Sequence, residues 1–200
     1  MNNPDIYINK IIKFWFNNNY RFFNEDKWFK KGRLLDKEIT KKFKNILLLA
    51  EKDKLAHWND TKNGFLAHTI LLDQFSRHIY RDTPKAYNND LLCIKYTDKF
   101  ILCYINELKP VESLFALMPY QHSENMCKQN TGIFLINYLL DKEKTIYGKK
   151  IYFEILKHQK QHAILIKKFG RFPKRNKILN IKSTEKEIEY IKNSDPSLPY

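Results

Sequence analysis

No segment of this chain alternates apolar and polar residues with period two, whereas several repeat apolar residues three and four apart. That pattern leaves little but helix to build with. A half-buried strand needs the two-residue period, and a core-facing helix needs one of about 3.6. Composition agrees: only 5 Gly and 7 Pro interrupt 200 residues, and Val occurs once, at Val111. Leu, Ile, Lys, Glu and Asn fill the gaps, and 43% hydrophobic with 14% aromatic residues suits a folded globule. The expected fold class is all-α.

Local signals place the helices. Pro4 and Asp5 open a first one, with Ile8, Ile11, Ile12, Trp15 and Phe16 on one face, and the Asn17–Asn19 run breaks it. After Trp28-Phe29 and Gly32, Asp36 caps a second through about Lys52, where Ile39, Phe43, Ile46, Leu47 and Ala50 keep helical spacing. A loop at Asp60–Gly64 precedes a third from about Phe65 to Tyr80. Thr83-Pro84 reads as N-cap and first residue of a fourth, reaching about Ile105. Pro110 opens a short helix that stops before Pro119, and the next segment supplies another through Leu140. A long helix from about Gly148 to Lys168 ends at Gly170, and the capping box of Thr184 with Glu187 starts a last one over Glu185–Lys192. These signals predict one domain of antiparallel helix pairs over residues 1–193 and a flexible tail at 194–200.

The net charge of +14, from 36 Lys and Arg against 22 Asp and Glu, admits two readings. One is an anionic partner: nucleic acid, a phosphorylated metabolite or a membrane surface. The other is plain solvation of helix faces in a chain rich in Lys, Asn and Ile together. No apolar run approaches the ~20 residues of a membrane span, and no secretory h-region is visible. Cys93, Cys103 and Cys127 form no CxxC pair, which fits free thiols in the cytoplasm or another reducing compartment. Cys93 and Cys103 sit among apolar residues and are expected in the core. No cofactor or structural metal set is marked. His158 and His162 stand four apart, but without a Glu after the first or a third ligand.

Three segments concentrate polar side chains. In Leu71–Arg81, Asp73 and Arg77 are i,i+4 neighbours, as are Gln74 and His78, and Arg81 follows one turn on. Such a pair either clamps a carboxylate or phosphate, or ties helices together as a structural ion pair. In Pro119–Gln129, His122 titrates near neutrality and is the best general acid or base, with Glu124 beside it and Met126 and Gln129 on its face. Glu124 is also spaced to pair with Lys128. An exposed His beside a capping Ser123 is the alternative. In Phe169–Asn176, a Gly and a Pro fall within four residues and aim Arg171 and Arg175 from a fixed turn, and His162 approaches from the preceding helix.

Taken in order, these segments resemble a mainly bacterial family, domain-of-unknown-function family 924, of the tetratricopeptide-like all-helical superfamily. The resemblance runs from Ile12-Lys13-Phe14-Trp15-Phe16 through Trp28-Phe29 and Trp58 to Leu71–Arg77 with Arg81, Thr83 and Pro84. It continues with Pro119–Glu124 and Gln129, then His162, Phe169–Pro173, Arg175-Asn176 and Ser183-Thr184. Ser76 stands where the family usually has Pro, His78 where it has Asn, Lys174 where it has His, and Asn180-Ile181 where it has Gly-Arg. The resemblance implies a tetratricopeptide-like fold and a site, and no established activity.

The expected function is binding of an anionic small molecule carrying phosphate or carboxylate, with acid–base catalysis possible at the same place. Asp73, Arg77, Arg81, Gln129, Arg171, Arg175 and Asn176 would bind, and His122, Glu124 and His162 would act in catalysis. In particular, Arg77, His122, His162 and Arg171 are expected to converge. The alternatives are a non-catalytic helical module binding RNA, a scaffold for a protein partner, and a purely structural polar network.

Overall fold

A computed structural model describes residues 4–17, 23–24, 26–30 and 32–194, and every regular element among them is helical. Helix α1 (Ile6–Phe16) buries Ile11, Ile12, Trp15 and Phe16, and Asn17 ends it in the left-handed region at φ 56°. Of the asparagine run expected to break this helix, Asn18 and Asn19 lie outside the described residues, as does the expected tail beyond Ser194.

Helix α2 (Asp36–Glu51) buries the five apolar positions its periodicity singles out. It begins where expected but without the expected cap. A 3-10 turn, Gly32–Leu35, leads straight into it, so the Asp36 side chain is released to pair with groups across the fold.

The segment expected as one helix over Phe65–Tyr80 is three joined pieces. Helix α3 (Lys62–Thr69) starts earlier because the Thr61 hydroxyl accepts from the Gly64 amide. A π-helical turn, Ile70–Phe75, follows, and α4 (Ser76–Ile79) completes the run. Thr83-Pro84 opens only a 3-10 turn, Pro84–Tyr87, and α5 (Asp90–Tyr104) starts beyond it.

Helix α6 (Pro110–His122) runs through Pro119 instead of stopping before it. An internal proline costs a helix about 3 kcal/mol. Here residues 111–121 are all buried, so packing on every side of α6 outweighs the lost backbone bond. Helix α7 (Met126–Lys142) is capped by the Asn125 side chain, which accepts from the Cys127 and Lys128 amides. Helix α8 (Ile146–Phe169) starts at the Thr145 cap and ends at Gly170, whose φ of 72° suits a residue without Cβ. Helix α9 (Glu185–Asn193) carries the predicted capping box in full.

The main core gathers around α6. Trp15, Phe16, Trp28 and Phe115 form an edge-to-face aromatic cluster there. A small second core of Leu165, Ile166 and Phe172 lies under Met126, Phe169 and Tyr190, joining the end of α8 to α9. Cys93 is buried, but Cys103 is exposed, contrary to its apolar sequence neighbours, because it falls on the outer side of α5; Cys127 is exposed too. No helix among the described residues is long and apolar enough to cross a membrane.

Candidate functional site

The polar side chains meet where the π-turn, the C-terminus of α6, the N-terminus of α5 and the turn after α8 come together. Asp73, only 1% exposed in its side chain, accepts from His122 Nδ1 at 2.6 Å and from Arg77 Nη2 at 3.1 Å. Gln74 donates to its other oxygen. Arg77 also reaches Asp90 at 3.0 Å and the Ala86 carbonyl at 2.8 Å. Asp90 in turn takes Arg175 Nη1 at 3.3 Å, and Arg175 lies 3.8 Å from Glu124 and donates to the His122 carbonyl at 3.1 Å. The partners close a ring: His122, Asp73, Arg77, Asp90, Arg175 and back to His122. Both guanidinium groups lie over the Tyr87 ring, at 5.4 and 4.7 Å, and Arg175 also covers Phe172 at 4.5 Å.

A second set of bonds fixes the end of α6. The last carbonyls of a helix have no intrahelical donor. Here the Gln121 carbonyl accepts from Gln129 Nε2 at 2.9 Å and His162 Nδ1 at 2.7 Å, and the Ser123 carbonyl accepts from Gln129 at 2.7 Å. With Arg175 on the His122 carbonyl, three residues from α7, α8 and the turn after α8 hold the backbone that carries His122. The His162 ring stacks beside His122 at 6.3 Å and meets Phe172 edge-on at 5.3 Å. Gln129 is steadied by Gln159, whose amide lies so close over Gly132 that a Cβ there would have to displace it.

Protonation follows from these surroundings. Burial alone would raise the Asp73 pKa, but His122 and Arg77, with the bonds from His122 and Gln74, hold it well below the usual carboxylate range. Burial pushes the His122 imidazole down, against the raising effect of Asp73, and Arg77 and Arg175 add to the depression. Burial also drives His162 down to about 3, against the raising bond to Gln121. Both rings are therefore neutral near pH 7. A carboxylate and a carbonyl can only accept, so each ring carries its hydrogen on Nδ1. On His122 this leaves the Nε2 lone pair, which makes no hydrogen bond among the described residues, on a side chain 18% exposed.

Not every predicted site residue is here. Arg81 forms a separate cluster, clamping Asp36 through Nε at 2.6 Å and Nη2 at 2.8 Å, with His78 on the same carboxylate at 2.7 Å. That cluster borders an open depression of about 440 Å³, also lined by Lys37, Thr40 and Lys41. The expected Gln74–His78 pair does not form, since the two residues turn to Asp73 and Asp36 respectively. Arg171 does not converge with His122. It is drawn to α9, where it grips Glu187 at 2.7 and 2.9 Å and the Lys182 carbonyl at 3.3 Å. Asn176 donates to Ser183 at 3.0 Å in the same clasp.

Glu124 neither touches His122 nor pairs with Lys128, because Asn125 starts α7 after it; Lys128 takes Asp98 instead. Glu124 accepts the Phe172 amide at 2.8 Å, linking this turn to the one after α8. His122 and Gln129 share no helix face either, as α6 and α7 separate them. Sequence reasoning missed Asp90 and Tyr87. Asp90 reads as an ordinary acidic residue in a helix's first turn, and nothing local distinguishes it.

Comparison with known proteins places the chain. A family model described as bacterial protein of unknown function, DUF924, matches residues 11–195. The chain belongs to that family. Its fold is similar to the solved structure of a protein of unknown function from Agrobacterium tumefaciens, with a TM-score of 0.80 and 26% identity, covering 96% of this chain and 100% of that one. No match was found among curated proteins.

Proposed function

We propose that this DUF924 protein is an enzyme acting on a small molecule, with His122 as its proton-transfer group and Asp73 as the residue that orients it. The observation that supports this best is the 2.6 Å bond between a buried carboxylate and an imidazole whose far nitrogen stays open. Such an arrangement fixes the tautomer and presents a base near its working pH. Arg77 and Arg175 serve first to neutralise Asp73 and Asp90. Arg77 bonds through Nη1 and Nη2, and its side chain is 20% exposed, so its remaining N–H can meet a carboxylate or phosphate of the substrate. The three carboxylates already engaged make a strong anion clamp the less supported reading. Gln129, His162 and Arg175 hold the α6 terminus, and Glu124 holds the Phe172 turn. The free thiols favour a reducing compartment such as the cytoplasm.

The test is release of p-nitrophenol from a panel of p-nitrophenyl carboxylic and phosphate esters. We expect turnover of at least one ester, lowered about 10²- to 10⁴-fold by His122→Ala, the range for removal of a general acid or base. Nitrogen NMR on histidine-labelled protein should show His122 protonated on Nδ1 at pH 7. Equal rates in both proteins, with the proton found on Nε2, would refute the proposal.

A further inference from the structure

We infer that the outer face of α8 is a docking surface for single-stranded RNA, separate from the His122 site. Helix α8 carries six lysines, Lys149, Lys150, Lys157, Lys160, Lys167 and Lys168, against one acidic residue, Glu154. That is +5 of the chain's +14 on 24 of its 200 residues. All six lysines are exposed. The inner face buries Ile151, Tyr152, Ile155, Leu156, Ala163 and Ile166 against the rest of the fold, so the charge is confined to the opposite side. At 1.5 Å per residue, the stretch from Lys150 to Lys168 spans about 27 Å along the helix axis, long enough to follow several phosphates, and its one carboxylate, Glu154, lies 3.8 Å from Lys157.

Aromatic and apolar surface lies within the row. Phe153 is 58% exposed and stands one turn from both Lys150 and Lys157, and Ile164 is 64% exposed between Lys160 and Lys167. A backbone-tracking row of cations with an open ring between them is what sequence-tolerant single-strand binding uses, the ring stacking on a base. A membrane fits less well. An interfacial helix presents an apolar face apart from its charged one, and the apolar face of α8 is already inside the protein. Here lysines and apolar side chains interleave on one face.

The probe is a fluorescein-labelled 12-nucleotide oligouridylate, read by anisotropy from 50 to 200 mM KCl. Counterion release gives a log–log salt slope of about −0.7 per neutralised phosphate on a single strand, so four to six contacts predict about −3 to −4. Replacing Lys150, Lys157, Lys160 and Lys167 together by Gln should weaken binding at 100 mM KCl at least tenfold and flatten the slope by about 2 to 3. The charge-matched control replaces Lys37, Lys41, Lys42 and Lys44, exposed on α2, and should change binding much less. Phe153→Ala should cost at least fivefold through lost stacking. Circular dichroism checks that each variant stays folded. Equal losses in the two lysine variants would mean bulk charge alone and overturn the inference. So would absence of binding at 50 mM KCl, or binding to vesicles containing phosphatidylserine without binding to the oligonucleotide.

Discussion

Asp73→Asn is the perturbation that discriminates most sharply. It keeps the shape of a side chain that is 1% exposed and removes its charge from between His122 and Arg77. Breaking a buried ion pair costs about 3 to 5 kcal/mol when the partner charge is left uncompensated. Arg77 is not left so: Asp90 stays at 3.0 Å and the Ala86 carbonyl at 2.8 Å. The cost should therefore fall at or just below the lower end of that range, about 2 to 3 kcal/mol, which a domain stable by about 5 to 15 kcal/mol survives folded. Urea unfolding at pH 7, followed by tryptophan fluorescence, measures it, with an unchanged slope showing that the unfolded state is unaltered. The second readout is His122 itself. An amide can donate as well as accept, so the ring loses its preference for a proton on Nδ1. Without the Asp73 charge, the imidazole should also protonate at still lower pH. A stability loss below about 1 kcal/mol, or an unchanged His122 tautomer, would refute the view that this carboxylate organises the site.

Three further outcomes follow from other parts of the fold. His68 and His162 are held by burial at about 4 and about 3, so the unfolded chain binds protons below pH 6.5 that the folded one refuses. Stability should thus be flat above about pH 7 and fall by roughly 1.4 kcal/mol per pH unit for each of them from pH 6 to 4.5, as urea titrations at stepped pH would show; a flat profile contradicts it. Gly132→Ala, which in an ordinary helix stabilises by about 1 kcal/mol, should instead destabilise by about 1 to 3 kcal/mol, because its Cβ would lie 2.8 Å from Gln159 Oε1 and 3.0 Å from Tyr120 Cβ; a raised melting temperature refutes this. Arg171→Ala should speed amide hydrogen exchange across residues 185–193 and leave α6 and α7 protected, since it frees Glu187 and the end of the clasp; protection lost throughout would show that α9 is not a separable element.

Much of the fold was legible because helix period and caps are local. The face of α2, the stop at Gly170 and the Thr184–Glu187 box follow from neighbours within a few residues. The failures share a cause that is not local. Pro119 stays helical because α6 is enclosed on all sides, and Thr83-Pro84 opens only a 3-10 turn before α5. The candidate site was legible in its residue types and less so in its pairings. Asp73 with Arg77 is an i,i+4 pair and could be read directly. That Arg81 belongs to Asp36 and Arg171 to Glu187 depends on how distant helices pack, and 45 residues separate the first of those pairs. Arginines in one sequence motif need not share a ligand.

The division of labour among the polar residues follows from where charge and backbone need partners. Counting Glu124 beside the ring, Asp73, Asp90 and Glu124 face Arg77 and Arg175, so the carboxylates outnumber the guanidinium groups by one. A protonated His122 would balance that count, yet burial and the two arginines disfavour it. The imidazole is thus drawn toward the proton by the local charge count and away from it by lost solvation. The proton affinity of a base held between two such opposed influences rises when negative charge is added beside it and falls when more solvent is removed. An anionic substrate arriving beside His122 would raise it by adding negative charge. On the proposed reading, His122 would hold a proton more readily once an anionic substrate is bound. The measurable consequence is a His122 NMR titration that moves to higher pH in the presence of a bound carboxylate, and a shift to lower pH would show that the solvation lost to the ligand outweighs the charge it brings.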